Sequence, residues 1–250
     1  MMRRFILAGL LSAAWVLGAA GPAQAQVDQV LSVNAGGWIV KGLDGRELDP
    51  GTGPITGDVF ANNLLGSSFP LLYEIEDFNG GTFGADYLVS VGSFIEVGAG
   101  IGYYQRTVPT IHAELEDVDG SDIEMDMKLR VLPITFTGRF FPLSRDLGLQ
   151  PYVGAGLGLL RWRYSETGEF VDFDTFEIFP ENFVGEGTAV GPVVLAGVRF
   201  PLSRTVLIGG EYRFHGGTAE LDPEDPDQGF FGDEIDLANH TFQVTVGFRF

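Results

Sequence analysis

The last eleven residues restrict the fold more than any other part of the chain. His240 to Phe250 reads HTFQVTVGFRF. Phe242, Val244, Val246, Phe248 and Phe250 fall on one face, and Thr241, Gln243, Thr245, Gly247 and Arg249 fall on the other. That is the strict period of two of a pleated strand, in which successive side chains alternate. A strand showing five apolar side chains to water would invite aggregation. The apolar face therefore needs an apolar partner.

The opposite end reads as an export signal. Arg3 and Arg4 give a positive start, Phe5 to Ala20 an apolar stretch, and Ala23-Gln24-Ala25 a small-x-small cleavage site before Gln26. The expected organisation is a signal peptide at 1–25 and one β-domain at 26–250. After residue 25 no apolar run is long enough for a membrane helix of about 20 residues.

Eight stretches read as strands, at about 30–41, 82–92, 94–106, 123–141, 150–164, 189–200, 205–215 and 240–250. Each can supply the roughly 9–11 residues that a membrane strand needs. The connections alternate in length. Those near Gly92-Ser93, Pro142 to Leu149 and Pro201 to Arg204 are short, whereas 42–81, 107–122, 165–188 and 216–239 are long. Arg139-Phe140-Phe141-Pro142-Leu143-Ser144-Arg145 is echoed by Arg199-Phe200-Pro201-Leu202-Ser203-Arg204. Both fit turns, where Pro removes no central ladder bond. The fold class is all-β: an eight-stranded antiparallel transmembrane barrel with short periplasmic turns and long extracellular loops.

The alternation assigns faces. Strand three puts Ile95, Val97, Ala99, Ile101 and Tyr103 out, with Glu96, Gly98, Gly100, Gly102 and Arg106 in. Strand seven puts Val206, Ile208, Tyr212 and Phe214 out, with Glu211 and Arg213 in. Strand four places Met125, Met127, Leu129 and Val131 out, opposite Glu124, Asp126, Lys128 and Arg130. Arg139 falls in the other phase, which predicts a bulge near Pro133. Strand five is ambiguous. Aromatics collect at strand ends, with Trp38, Tyr103, Tyr104, Trp162, Tyr164, Tyr212 and Phe214 at the outer rim. Phe94, Phe140, Phe141, Tyr152, Phe200 and Phe250 lie at the periplasmic rim. Two girdles are expected where rings meet headgroups. A water-soluble β-sandwich is the competing fold.

The arrangement resembles the eight-stranded outer-membrane families typified by OmpA-like and OmpW-like barrels. Tyr152-Val153-Gly154-Ala155-Gly156-Leu157-Gly158 and Gly247-Phe248-Arg249-Phe250 carry the resemblance. It implies that Phe248 and Phe250 act as a signal to the barrel-assembly machinery. It also implies a setting among outer-membrane lipid and lipopolysaccharide. Such families host adhesins, anchors, permeation proteins and lipid enzymes, so the likeness specifies architecture better than activity.

Charge is unevenly placed. The formal net charge is −19, which disfavours nucleic acid as a partner. The four long loops hold 27 of the 34 acids and, of the bases, only Arg46. A barrel of eight strands encloses just enough space for side chains, and an unpaired buried charge is costly. Arg106, Arg130, Arg139, Arg199, Arg213 and Arg249 are therefore expected to pair with Asp86, Glu96, Glu124, Asp126 and Glu211, filling the lumen.

No cofactor is implied, and zero cysteines exclude disulfides and thiol chemistry. The acidic loops, notably Asp117-Val118-Asp119-Gly120-Ser121-Asp122 and Asp222-Pro223-Glu224-Asp225-Pro226-Asp227, could take divalent cations through carboxylates. The first departs from an EF-hand loop because its Gly arrives early. Of His112, His215 and His240, only His215 shares a face with an acid, Glu211. No Gly-x-Ser-x-Gly elbow accompanies it. A surface or structural barrel without enzymatic activity is the expectation. The alternatives are a transporter of small or hydrophobic molecules, suggested by apolar segments at 59–65 and 69–73, and a lipid-modifying enzyme.

Overall fold

The computed structural model describes residues 28–42, 57–66, 70–172, 175–221, 230, 232 and 234–250. The signal segment, Arg46 and the run from Asp222 to Asp227 lie outside them.

The strands are β1 (Gln29–Val40), β2 (Gly80–Val91), β3 (Ile95–Glu116), β4 (Asp122–Phe140), β5 (Gln150–Val171), β6 (Ile178–Pro201) and β7 (Val206–His215). A small hairpin-like pair, β8 (Thr218–Glu220) and β9 (Glu234–Asp236), precedes β10 (Asn239–Arg249). Eight of them close a ring in the order β1-β2-β3-β4-β5-β6-β7-β10. Every neighbour is antiparallel, and β1 meets β10 along Val30↔Arg249 to Val40↔Asn239. Closure removes the edges that the apolar C-terminal strand would otherwise expose. The apolar face of β10 points outward: Phe242, Val244 and Phe248 are exposed. Phe250 sits at the periplasmic rim, its backbone bonded to Gln29.

Tight turns fit the residues that make them. Gly92 between β2 and β3 takes φ +68°, a left-handed conformation that glycine adopts without a Cβ clash. Ser144 between β4 and β5 takes φ 67°, so that turn is special too.

The strands differ from their expected lengths in one systematic way. β3, β5 and β6 run far past the predicted ends at 106, 164 and 189, so the second and third long loops are mostly hairpin extensions. The ring has a lower part of about 10 residues per strand and a taller wall on the β3–β6 side.

The outward surface divides at the same place on those strands. Below it stand Ile95, Val97, Ile101, Phe136, Val153, Leu157, Val190 and Val194, all exposed. Such a band of large apolar side chains belongs in lipid. Above it the outward positions are Gln105 and Thr107 on β3, Lys128 and Arg130 on β4, Arg161 and Arg163 on β5, and Glu186 and Thr188 on β6.

This division corrects the reading of strand four. Met125, Met127, Leu129 and Val131 are buried, while Glu124, Asp126, Lys128 and Arg130 face outward. No bulge occurs at Pro133. One register runs from Ile95↔Phe140 to Ile111↔Glu124, and the shift falls beyond Ile111. Arg139 thus shares the phase of Met125. "Apolar means outward" holds only inside the bilayer; above it the solvent lies outside and the interior is apolar, so the sign of the pattern inverts without any change of face.

The outer girdle is corrected for the same reason. Trp38, Tyr104, Trp162 and Tyr164 are buried inside the barrel. Phe83 with Tyr103, and Tyr212 with His240 and Phe242, supply the lipid-side rings there. At the lower rim Phe94, Phe140, Phe200 and Phe250 are exposed, whereas Phe141 and Tyr152 turn inward.

Candidate functional site

Two layers fill the barrel interior. The lower one is charged. Glu96 on β3 accepts both terminal nitrogens of Arg199 on β6, at 2.6 and 2.9 Å, and lies 3.1 Å from Arg145. The two-pronged contact uses the planar fork of arginine. Arg145 comes from the β4–β5 turn and folds up into the barrel floor. It also bonds Ser90 and the Gly92 carbonyl and approaches Asp28 at 3.7 Å.

Above this lies a four-residue cluster. Glu211 is 2.6 Å from Arg213 and 3.0 Å from Arg139, while Asp86 is 3.1 Å from Arg213 and 3.7 Å from Arg139. Two negative charges thus face two positive ones. The remaining carboxylate lone pairs accept from Tyr152 at 2.9 Å, Gln243 at 2.8 Å and Asn34 at 3.0 Å. Each of the four charged groups is nearly inaccessible to solvent. Extra hydrogen bonds to both carboxylates help offset the cost of burying these charges, while Arg139 Nε has no hydrogen-bond partner among the described residues. Gly100 is required beside the cluster: a Cβ at that position would land on the Asp86 carboxylate. Gly197 likewise leaves the space that the Tyr152 ring occupies.

Of the eleven expected lumen residues, six meet in these clusters: Asp86, Glu96, Arg139, Arg199, Glu211 and Arg213. The other five do not. Glu124, Asp126 and Arg130 stand on the outer wall for the reason given above. Arg106 is exposed and donates from Nε to the Asp77 carbonyl at 2.9 Å. It lies past Thr82↔Tyr104, where β3 has lost its β2 neighbour, so its side chain reaches solvent and the loop. Arg249 sits at the periplasmic mouth with no ion pair among the described residues. Arg145 was missed. Its counterpart in the repeated turn motif, Arg204, is exposed, so the echo gave no hint that the two arginines differ.

The upper layer is apolar and built largely from the first long loop. A single helical turn, α1 (Val59–Ala61), leads into a π-turn (Asn62–Gly66), and a 3-10 turn (Ile75–Phe78) follows. The Asp58 carboxylate caps α1 by accepting from Phe60 and Ala61 at 3.0 and 3.2 Å, the usual partner for orphan helix donors. Phe60, Leu71, Tyr73, Ile75 and Phe78 then pack against Trp38, Tyr104, Met127, Leu129, Trp162 and Tyr164 of the wall. Trp38 stacks on Tyr104 with centroids 4.6 Å apart. Leu221, Ile235 and Leu237 close the cluster from the fourth loop. Asp58 ties the two loops together, since it also accepts from the Asp236 amide at 2.8 Å.

One carboxyl is enclosed in this cap. Glu166 on β5 accepts from Asn63 and from Tyr164, both at 2.7 Å. Burial pushes its carboxyl above the ordinary value of 4.5, against the opposing pull of these hydrogen bonds. The Tyr164 hydroxyl is raised as well, by burial and by the acid beside it.

The remaining candidates separate. His215 Nδ1 lies 3.2 Å from Asn239 Oδ1 and its ring stacks near Trp38, while Glu211 is occupied by arginines. His240 points to the lipid side and bonds Tyr212 at 2.8 Å. His112 is buried beneath the first loop, bridging to Leu71. In the β3–β4 turn, Asp119 accepts from Ser121, which holds its carboxyl below the usual range. Among the described residues, no three His, Asp or Glu side chains converge as a metal site would need.

A family model described as the outer membrane protein beta-barrel domain matches residues 11–250. No curated protein matches the sequence. Among solved structures the chain is similar to the outer membrane protein OprG from Pseudomonas aeruginosa, at 10% identity and a TM-score of 0.50. That match covers 88% of this chain and 95% of the other. It is also similar to Neisserial surface protein A, at 13% identity and a TM-score of 0.47, covering 89% and 97%. A further match is Ail of Yersinia pestis, solved with the heparin analogue sucrose octasulfate, at 15% identity and a TM-score of 0.41, covering 90% and 99%. At these identities the likeness is one of fold.

Proposed function

Since the chain belongs to the outer membrane protein beta-barrel domain family, we propose that this small outer-membrane barrel is a closed structural anchor that holds an acidic surface outside the cell. Export by a signal peptide cleaved after Ala25, and recognition of Phe248 and Phe250 by the assembly machinery, belong to the same proposal. The observation that carries it is the double filling of the interior. The arginine–carboxylate layer lies beneath an aromatic cap, and both are built from residues of this chain.

The apolar segments of the first loop had suggested a ligand groove. Val59, Phe60, Ala61, Leu71 and Tyr73 are used instead in packing the cap. That supports an anchor over a conduit for hydrophobic molecules. With Glu211 held by two arginines, His215 also lacks the acid that a hydrolytic pair would need.

The test is electrical. The full mature chain, inserted into a planar bilayer, is expected to give no stable conductance of porin size. A steady open level on that scale would overturn the closed-barrel reading.

A further inference from the structure

The charged groups that the lumen did not take form a patch of their own on the outer wall. On β4 and β5 the first outward positions beyond the apolar band are Arg130, Lys128, Arg161 and Arg163. The ladder places Arg130 directly opposite Arg163, Lys128 opposite Ser165, and Leu132 opposite Arg161. On the far side Arg130 faces Gln105, and Arg163 faces Glu186. Like charges directly across an antiparallel pair repel. Only Arg163 has an ion partner, Glu186 at 3.0 Å; Lys128, Arg130 and Arg161 have none among the described residues. Asp126, two positions from Lys128 on the same outward face, makes no ion pair with it.

Three of these bases line a groove of 170 Å³, formed by Gln105, Lys128, Arg130, Arg163 and Ser165, and Arg161 stands one row below it. The Gln105 carboxamide oxygen already accepts from Tyr103 at 2.9 Å, so its NH₂ remains to donate. The groove therefore offers cationic and neutral donors with no carboxylate in its lining. This is unusual in a chain of net charge −19.

Its position identifies the anion. Ile101, Ile134, Leu159 and Val190 lie in the lipid-facing band two outward positions below the groove, and Tyr103, Leu132 and Arg161 stand in the row between. A group seated in the groove would have its acyl chains against the apolar wall and its phosphate among the bases. Among the described residues, the β1, β2, β7 and β10 side carries no such cluster; Lys41 there pairs with Asp236 at 2.7 Å.

We propose that Lys128, Arg130 and Arg163, with Gln105 and Ser165 and with Arg161 one row below, form a binding site for the phosphorylated headgroup of an outer-leaflet lipid. The site is independent of whether the lumen conducts. It fixes the rotational setting of the barrel by anchoring its tall wall to the headgroups.

The test uses the full mature chain folded into phosphatidylcholine vesicles that contain fluorescent bis-phosphorylated lipid A, then dissolved in mild detergent. Retained lipid is read on the purified protein. Wild type is expected to retain it and to ignore the dephosphorylated form. Lys128→Gln/Arg130→Gln is expected to bind roughly thirtyfold more weakly, the loss of two bases near an anionic headgroup. Arg204→Gln, an exposed base in a periplasmic turn, is expected to bind like wild type. The cold-gel mobility of each variant checks that the barrel is folded. Equal retention by the double variant and wild type would overturn the site. So would equal retention of dephosphorylated lipid. Full displacement by millimolar inorganic phosphate would show a general anion site and overturn the lipid assignment.

Discussion

Removing the negative charge of Glu211 should unfold the barrel far more readily than any surface change of the same kind. Glu211→Gln keeps the size of the side chain but leaves Arg139 and Arg213 facing Asp86 alone. One guanidinium charge is then uncompensated in a site with almost no solvent. Stripping one partner from a buried pair costs about 3–5 kcal/mol. Urea unfolds small proteins with a slope of about 1–3 kcal/mol per molar, so at a slope near 2 the midpoint should fall by about 1.5–2.5 M. The matching control is Glu186→Gln. Its partner is Arg163, and their side chains are 60% and 46% exposed. Solvent screens that pair to about 0–1 kcal/mol, a midpoint shift of at most about 0.5 M at the same slope. The assay is a urea titration of the barrel refolded in micelles, with the folded fraction read from cold-gel mobility. A third variant separates charge from packing. Glu211→Leu/Arg213→Leu leaves Asp86 facing Arg139, one of each sign, and should recover much of the loss. Equal midpoint shifts for Glu211→Gln and Glu186→Gln would refute the view of the lumen as a low-dielectric, desolvated layer. A double variant worse than the single would refute uncompensated charge as the cause.

Two further outcomes concern the cap. Phe60 packs on Phe78 at 4.7 Å and edge-on to Tyr164 at 5.3 Å. Phe60→Ala should cost about 3–5 kcal/mol of cap stability and raise protease cleavage in the first loop by roughly a hundredfold or more, leaving cold-gel mobility unchanged. Loss of the cold-gel shift would mean instead that the lower barrel depends on the cap. Glu166 makes the cap sensitive to pH. Its carboxyl is raised above 4.5 in the folded state, so its contribution is complete below that value and is lost as pH rises through the raised one. First-loop cleavage should therefore accelerate with rising pH across that window, and Glu166→Gln should flatten the profile. A wild-type profile as flat as the variant's would remove Glu166 as the source.

The period of two, read locally, was enough for the barrel. β10 carries it without exception, and its five outward apolar residues leave little choice but lipid and closure. The inward positions Glu96, Glu211 and Arg213 were legible too, because each alternates with outward apolar residues inside the bilayer band, whereas Arg139 was placed inward only by invoking a bulge that the structure does not have. Glu124, Asp126 and Arg130 were misplaced by the same rule. Above the bilayer the solvents change sides, and nothing local in Met125 to Val131 marks that height. Only the pairing of β4 with β3 and β5 shows the strand running straight through. Trp38, Tyr104, Trp162 and Tyr164 were placed at the membrane rim because ring chemistry is the same in a girdle and in a core. What decided between them was a distant segment, Val59 to Phe78, seated inside the ring. Arg145 entered the floor because its turn bends back, a path that a motif shared with Arg204 could not reveal. The sequence alone determined alternation, strand count and the need for an apolar surrounding, since these depend on neighbours along the chain. Which charges meet, what fills the mouth and where the unspent bases gather were decided by register and closure, which join residues far apart in sequence.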